Sequence, residues 1–412
     1  MITRNTGVLV CGGGPAGMML GLLLARAGIE VTVLEKHGDF LRDFRGDTVH
    51  PSTVRLMDEL GLGEGFRALP QSRLGNLSFP ASDGSMIAFA DFGMLPAPYD
   101  YVAMVPQWDL LAFLAKAAAD EPGFSLRMNT EATALVRDGE KVVGVRYRTA
   151  DGEEGEIRAE LTVGCDGRHS TLRRAAGLVP EEFRVPFDVW WFRLPKWESD
   201  AGVPAGIVPV ARGSEALISL TREDFYQVAY FTAKGSDARL RAEGIERFRE
   251  RVARLRPDFA GHVDHLRSMD EVFVLDVKLN RLERWHLDGL LLIGDAAHAM
   301  SPAGGVGINL AVQDAVAAAA ILAEPLRRHA VTPADLAAVQ RRRHRPTVIV
   351  QAFQRMLQRV VFEPLFAGRF SGPPRTLLLL SRLVPRLRAI PARFVGFGPR
   401  PEHAPAFARR RP

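Results

Sequence analysis

Three glycines near the start of the chain stand at the spacing Gly12-x-Gly14-x-x-Gly17, with Pro15 and Ala16 between the last two. Glycine there allows a tight turn and brings the backbone close to a pyrophosphate, which then rests against the N-terminus of the following helix. The setting matches that use. Residues 7–11 form a short apolar run suited to a buried strand, and residues 18–27 favour a helix that Gly28 can end. Residues 31–34 form a second, β-branched run that stops at Glu35 and Lys36. A carboxylate at that point accepts hydrogen bonds from an adenosine ribose. A glycine triplet alone is a weak sign. Strand, turn, helix, strand and acid in register make one βαβ unit for a dinucleotide.

Two further clusters carry acids at the ends of apolar runs. The first is Gly164-Cys165-Asp166-Gly167, followed by Ser170 and Arg173. The second is Gly294-Asp295-Ala296-Ala297-His298, continued by Pro302-x-Gly304-Gly305-Val306-Gly307-Ile308-Asn309 and then Asp314. Open α/β sheets bind ligands beyond the C-terminal ends of their strands, where Asp166 and Asp295 fall. The last glycines open an Ala-rich helix over 307–322, and a helix N-terminus favours negative charge.

These clusters need a framework that brings them together. The 412 residues are a prior for two or three domains, and 47% hydrophobic with 25% charged residues is ordinary for a globular protein with a large core. Cys11 and Cys165 are the only cysteines, which excludes a disulfide framework, gives no metal-ligand spacing and points to the cytoplasm. The net charge of +5 divides unevenly. From Pro325 onward there are 18 Arg, no Lys and 3 acids, while the other 324 residues carry 35 basic and 45 acidic groups. A basic tail on an acidic body argues against nucleic acid as a partner. Glycines and Pro15 interrupt the uncharged stretch 5–25, and no unbroken run of the ~20 apolar residues that a membrane helix needs is present, so no integral membrane segment is expected.

Periodicity gives helices over 51–60, 108–120, 235–255 and 307–322, and a hairpin from 131–136 and 141–149. Buried strands fall at 161–165 and 289–293, and aromatic-rich strands through 187–232. Short apolar helices with many prolines follow Arg341. The expected fold class is α/β. A discontinuous Rossmann-like domain takes 1–75, 100–178 and 275–340, a smaller mixed β-sheet domain takes 76–99 and 179–274, and an Arg-rich helical segment takes 341–412.

Taken together, the three clusters resemble the single-component FAD-dependent aromatic hydroxylases, the group that includes p-hydroxybenzoate hydroxylase, over roughly residues 7 to 325. The resemblance implies FAD as cofactor, NADH or NADPH as reductant, and O2 with an aromatic or polycyclic small molecule as substrates. It also implies roles. Residues 12–17 would bind the ADP part of FAD, with Glu35 at the adenosine ribose and Lys36 a further cofactor-binding residue. Asp166 would touch FAD and serve the nicotinamide, and Asp295, after Gly294, would hold the ribityl chain. Pro302 and the backbone of Gly304, Gly305, Val306, Gly307, Ile308 and Asn309 would line the flavin. Arg45 and Gln107 match family positions near the cofactor, and Ala132 matches an adenine-side position less closely.

Substrate-side candidates are His50, Trp191, Arg193 and Tyr226; strand alternation lets only some of the last three face one pocket. Cys11 and Cys165 read as small buried fillers and His298 as structural. The chemistry belongs to the flavin, so no catalytic side chain is assigned. The chain lacks a second strand-linked glycine fingerprint and a Cys-x-x-Cys pair, against a disulfide reductase. The alternatives are a reductase or halogenase on the same scaffold, or a non-catalytic flavin-binding protein. Residues 190–195 match the halogenase tryptophan motif only in part. The tail is expected to pack as helices on the cofactor domain, with membrane-surface contact the minority reading.

Overall fold

The computed structural model describes residues 2–41, 47–80, 86–200, 206–222, 224–369 and 385–410. The Ile2–Cys11 strand lies at the centre of its larger sheet, parallel to Val31–Leu34 on one side and to Glu154–Gly164 on the other. Phe124–Arg127 and Leu290–Leu292 extend the sheet at either side, also parallel. Parallel strands covered on both faces need apolar side chains throughout, and Val8, Leu9, Val10, Val31, Val33, Leu161 and Val163 are all fully buried. The hairpin of Thr130–Asp138 and Lys141–Thr149 joins antiparallel to the first half of Glu154–Gly164. Pro15–Arg26 and Gly307–Arg327 pack together in the main core.

Parallel direction sets the strand ends side by side. Cys165 N donates to Cys11 O at 2.7 Å, Gly12 N to Leu34 O at 2.8 Å, and Ile293 N to Gly164 O at 3.1 Å. The loops that carry Gly12, Asp166 and Asp295 therefore leave one edge of the sheet.

The smaller sheet runs Ile207–Arg212, Glu215–Thr221, Phe225–Ala233, Phe187–Pro195 and Phe273–Leu275 in that order. Every pairing in it is antiparallel, narrower than the mixed sheet expected, because tight hairpins such as the one at Gly213 (φ +63°) reverse the chain between neighbours. Alternation divides its side chains. Trp190, Phe192, Leu194, Tyr226, Val228 and Tyr230 pack beneath Gly244–Leu255, while Val189, Trp191, Ala229 and Phe231 take the other face.

Two expected elements differ. The helix over 235–255 is two, Asp237–Ala242 and Gly244–Leu255, because Gly244 adopts φ +83°. The stretch after Arg341 begins inside one 25-residue helix, Pro333–Leu357, which a Thr332–Asp335 capping box starts and which runs through Pro346. It continues as a π-helical turn, Gln358–Phe362. Residues 402–408 then return to the first part of the chain: Arg26 Nη1 donates to Ala408 O at 3.0 Å and Ala404 N to Glu59 Oε2 at 2.7 Å. Among the described residues, Gly307–Arg327 is long and apolar enough to cross a membrane, but 78% of its apolar window is buried inside the protein.

Candidate active site

The strand-end edge of the larger sheet and the Trp191 face of the smaller one border a cavity of about 1090 Å³. Gly12, Gly14, Pro15, Ala16, Glu35, Lys36, Gln107, Ala132, Asp166, Asp295, Pro302, Gly304, Gly305, Gly307 and Ile308 all line it, as do His50 and Trp191. The three clusters thus meet around one space. Arg45 lies outside the described residues.

Six of the described residues assigned to the cofactor or substrate site do not line the cavity. A Cβ at Gly17 would sit 1.9 Å from Gly12 O, so this glycine serves close packing of helix on turn. Gly294 turns the chain at φ +59° and donates its N–H to Asp314 Oδ2 at 3.1 Å. Val306 precedes the Gly307 helix with its side chain in the apolar core. Asn309 Oδ1 accepts from Ser52 Oγ at 2.6 Å and Thr53 Oγ1 at 2.8 Å, tying the flavin-side helix to the segment that carries His50. Tyr226 faces away by strand alternation and packs on Phe259, 4.9 Å between centroids. Arg193 shares the Trp191 face but is exposed beyond the cavity, its guanidinium over Phe225 at 4.7 Å.

The electrostatics favour an anionic, extended occupant. Pro15–Arg26 and Gly307–Arg327 both begin at the cavity wall, and neither has a side-chain cap or an acid in its first turn. Their leading N–H groups are left for an anion. A Cβ at Gly14 would meet no protein atom within 4 Å, so the space over this turn is open rather than filled. Glu35 is held by Gly13 N on Oε2 at 2.9 Å and His37 N on Oε1 at 3.0 Å. These features fit FAD.

The other acids have structural tasks as well. Asp166 accepts from Ser170 Oγ at 2.5 Å and Leu172 N at 3.0 Å, which fixes its own turn. Arg173 stitches the second and third clusters, donating to Arg168 O at 2.7 Å and Ala296 O at 2.9 Å. Asp295 Oδ2 accepts from Arg168 Nη2 at 3.4 Å. Burial pushes both cysteine thiols well up; Cys11 is buried, Cys165 is half-buried, and both border the cavity. His298 is buried with Nε2 2.6 Å from Asp314 Oδ2, a structural pairing. Burial alone would raise the Asp314 carboxyl, but His298 and Arg343 overcome this and hold it below the usual range. Arg343 is fully buried and also donates to Gln313 Oε1 at 2.9 Å and Glu402 Oε1 at 3.0 Å. The tail therefore packs on the cofactor side through buried charges. Among the described residues no group of three His, Cys, Asp or Glu is arranged to hold a metal.

Sequence reasoning missed part of the wall. Phe353, Met356, Leu357, Val360 and Val361 close one side from the Pro333–Leu357 helix and its π-helical extension, and Val395 adds to it. Asp47 lines the cavity too; Arg222 bonds its Oδ2 and Gln227 Oε1 together, while burial pushes the carboxyl up. The signal for the helix was its apolar positions spaced among arginines. No local pattern marks Asp47.

A cavity at the C-terminal edge of a parallel sheet, faced by two uncapped helix N-termini and a glycine turn, defines a dinucleotide-binding α/β enzyme. The chain belongs to the family described as FAD binding domain, whose model matches residues 5–353. It is 35% identical to 6-methylpretetramide 4-monooxygenase of Streptomyces rimosus, over 94% of this chain and 91% of that protein. It is 32% identical to 12-dehydrotetracycline 5-monooxygenase/anhydrotetracycline 6-monooxygenase of the same species, over 75% of this chain, spanning 61% of the relative's length. The solved anhydrotetracycline hydroxylase of Streptomyces rimosus superposes with a TM-score of 0.75 at 26% identity, over 95% of this chain and 76% of the other. The chain is an FAD-dependent monooxygenase.

Proposed function

We propose that this enzyme uses NADH or NADPH and O2 to hydroxylate a polycyclic aromatic small molecule in the cytoplasm. One observation carries the reading: the cofactor-side clusters and the apolar Trp191 face line one continuous cavity. The tetracycline-type substrates named for the relatives support a large, flat ligand.

The pyrophosphate would rest on the Pro15–Arg26 N-terminus, with Glu35 at the adenosine ribose, Ala132 on the adenine side and Lys36 a further cofactor-binding residue. Asp166 would touch FAD and serve the nicotinamide, Asp295 would hold the ribityl chain, and Gln107 would lie near the cofactor with Arg45, which is outside the described residues. The flavin would lie along Pro302, Gly304, Gly305, Gly307 and Ile308, with Gly294, Val306 and Asn309 supporting that loop and helix from behind, while Gly17 supports the turn at the ADP end. When bound, FAD supplies hydride acceptance and oxygen activation. The protein's task is to bind, orient and keep out water. The Gly307 helix N-terminus favours negative charge beside it by about 1 kcal/mol. We divide the chain into a cofactor domain (1–75, 100–178, 275–340), a substrate domain (76–99, 179–274) and a segment 341–412 that completes the pocket wall.

The test follows nicotinamide absorbance, oxygen uptake and product mass across a panel of phenols and polycyclic aromatics. Ligand-accelerated oxidation with one oxygen atom added to the ligand is expected. Turnover that persists without oxygen overturns the reading in favour of a reductase. Dependence on halide favours a halogenase, and no acceleration by any ligand favours a binding protein.

A further inference from the structure

We propose that Gln354 is a positioning residue that aligns the loop proposed to line the flavin with the apolar wall proposed to carry the substrate. The share of reductant that ends in product then depends on it. The inference rests on the monooxygenase reading and gives the tail helix a task within it.

The loop from Ser301 to Gly305 has little of its own to hold it. Gly304 and Gly305 stand at φ +81° and +63° and contribute no side chain. Within the loop, Ala303 N donates to Ser301 Oγ at 3.3 Å and Gly305 N to Pro302 O at 2.9 Å. Those bonds shape the turn without anchoring it. The anchors come from outside. Thr48 Oγ1 donates to Gly305 O at 2.9 Å at one end. At the other, Gln354 Nε2 donates to Ser301 O at 2.8 Å and to Ala303 O at 2.9 Å, while its Oε1 accepts from Ser301 N at 3.2 Å.

This clamp needs a glutamine. A side-chain amide offers two N–H donors and a carbonyl acceptor, and all three functions are used here. Gln354 is fully buried, so water does not replace a bond that is lost. A carboxylate would still accept from Ser301 N but would set negative charge against two carbonyl oxygens. Methionine fills similar space and bonds none of the three groups.

The same stretch of helix carries the wall. Phe353, Met356 and Leu357 flank Gln354 in Pro333–Leu357 and line the cavity, as do Ser301, Pro302 and Gly304 of the clamped loop. Three residues earlier, Gln351 Nε2 donates to Asn280 O at 2.7 Å and its Oε1 accepts from Arg281 Nη1 at 2.9 Å, which fixes the helix itself. A ligand resting on Phe353, Met356 and Leu357 is therefore registered to the loop through one side chain. Alignment of reacting groups is exacting, since a misplacement of about 1 Å costs about 10²-fold in rate.

The experiment supplies the FAD-loaded enzyme with O2, hydroxyanthraquinone and either NADH or NADPH. It reads hydroxylated product and hydrogen peroxide per nicotinamide oxidised, with Tm and the Kd of apoprotein for FAD beside them. Gln354→Met should weaken FAD about tenfold and, at saturating FAD, move reductant severalfold from product to peroxide. Gln354→Glu should behave alike at alkaline pH and recover part of both losses as pH falls, because burial raises a carboxyl and the protonated form donates to one carbonyl. The methionine variant should show no such recovery. Gln351→Met, which removes an equally buried amide that does not bond residues 301–305, should lower Tm comparably yet keep the product share. If Gln354→Met fails to fold, the pH series of Gln354→Glu decides alone. A parental product share in Gln354→Met, an equal loss in Gln351→Met, or a flat pH series overturns the proposal alone where hydroxyanthraquinone still accelerates nicotinamide oxidation by the wild type. If hydroxyanthraquinone neither accelerates that oxidation nor gains oxygen, the proposal and the reading beneath it both fall.

Discussion

Arg343→Met tests how firmly the tail holds the cofactor side. The guanidinium is fully buried and bonds Asp314 Oδ1 at 3.0 Å, Glu402 Oε1 at 3.0 Å, Gln313 Oε1 at 2.9 Å and Arg400 O at 3.0 Å. Methionine fills similar space but takes one counter-charge from each of two buried carboxylates, leaving Asp314 to His298 and Glu402 to Arg342. Removing one partner of a buried ion pair costs about 3–5 kcal/mol. At the ~2 °C per kcal/mol that suits a large domain, Tm should fall by about 6–10 °C. Asp314 also accepts the Gly294 N–H, so the turn before Asp295 loosens and FAD affinity should fall with it. Thermal unfolding with and without added FAD, beside fluorescence titration of apoprotein, measures both effects. A variant that melts within about 1 °C of the parent and keeps its FAD affinity would show that the network carries no such load.

Asp295→Ala should release FAD readily, since a carboxylate bond to a buried hydroxyl is worth ~1.5–3 kcal/mol; wild-type-like retention on gel filtration would refute its role. Glu35→Ala should lower FAD affinity yet leave the flavin reduction rate at saturating FAD unchanged, because the ribose end is remote from the ring; stopped-flow reduction decides. Gly305→Ala should impair FAD loading, because φ is +63° and the added Cβ would lie 2.4 Å from Thr48 Oγ1; absorbance of the purified protein reads this directly. His50 is lowered from 6.5 to about 4 in the fold, so the unfolded chain binds a proton first as pH falls. Stability is therefore lost from about pH 6.5 down to 4, by up to about 3 kcal/mol, and His50→Gln should flatten that limb of a urea-midpoint against pH profile.

The cofactor side was legible because its constraints are local. A Cβ at Gly12 would lie 2.3 Å from Cys165 O, so that position needs glycine whatever the rest of the chain does. The substrate side depends on register, which composition does not encode. Trp191 and Tyr226 look equally apt as residue types, yet pairing Trp191 with Ala229 and Leu194 with Tyr226 sends their rings to opposite faces. The Pro333–Leu357 helix was read as short pieces because arginine and Pro346 mask its apolar stripe, although Leu336, Val339 and Val350 are buried. Its share of the pocket wall was hidden with it.

The return of residues 402–408 to the start of the chain has a consequence for biosynthesis. Arg26 and Ala408 are 382 positions apart, and ribosomes add about 5–20 residues per second. The first helix therefore waits about 20–75 s for its distant covering strap. Asp314 waits a shorter time, about 4–18 s, for Glu402 behind its arginine partner. The nascent N-terminal half is exposed to premature association during that window, and chaperone supply or slower growth, rather than codon choice early in the message, should govern the yield of loaded enzyme.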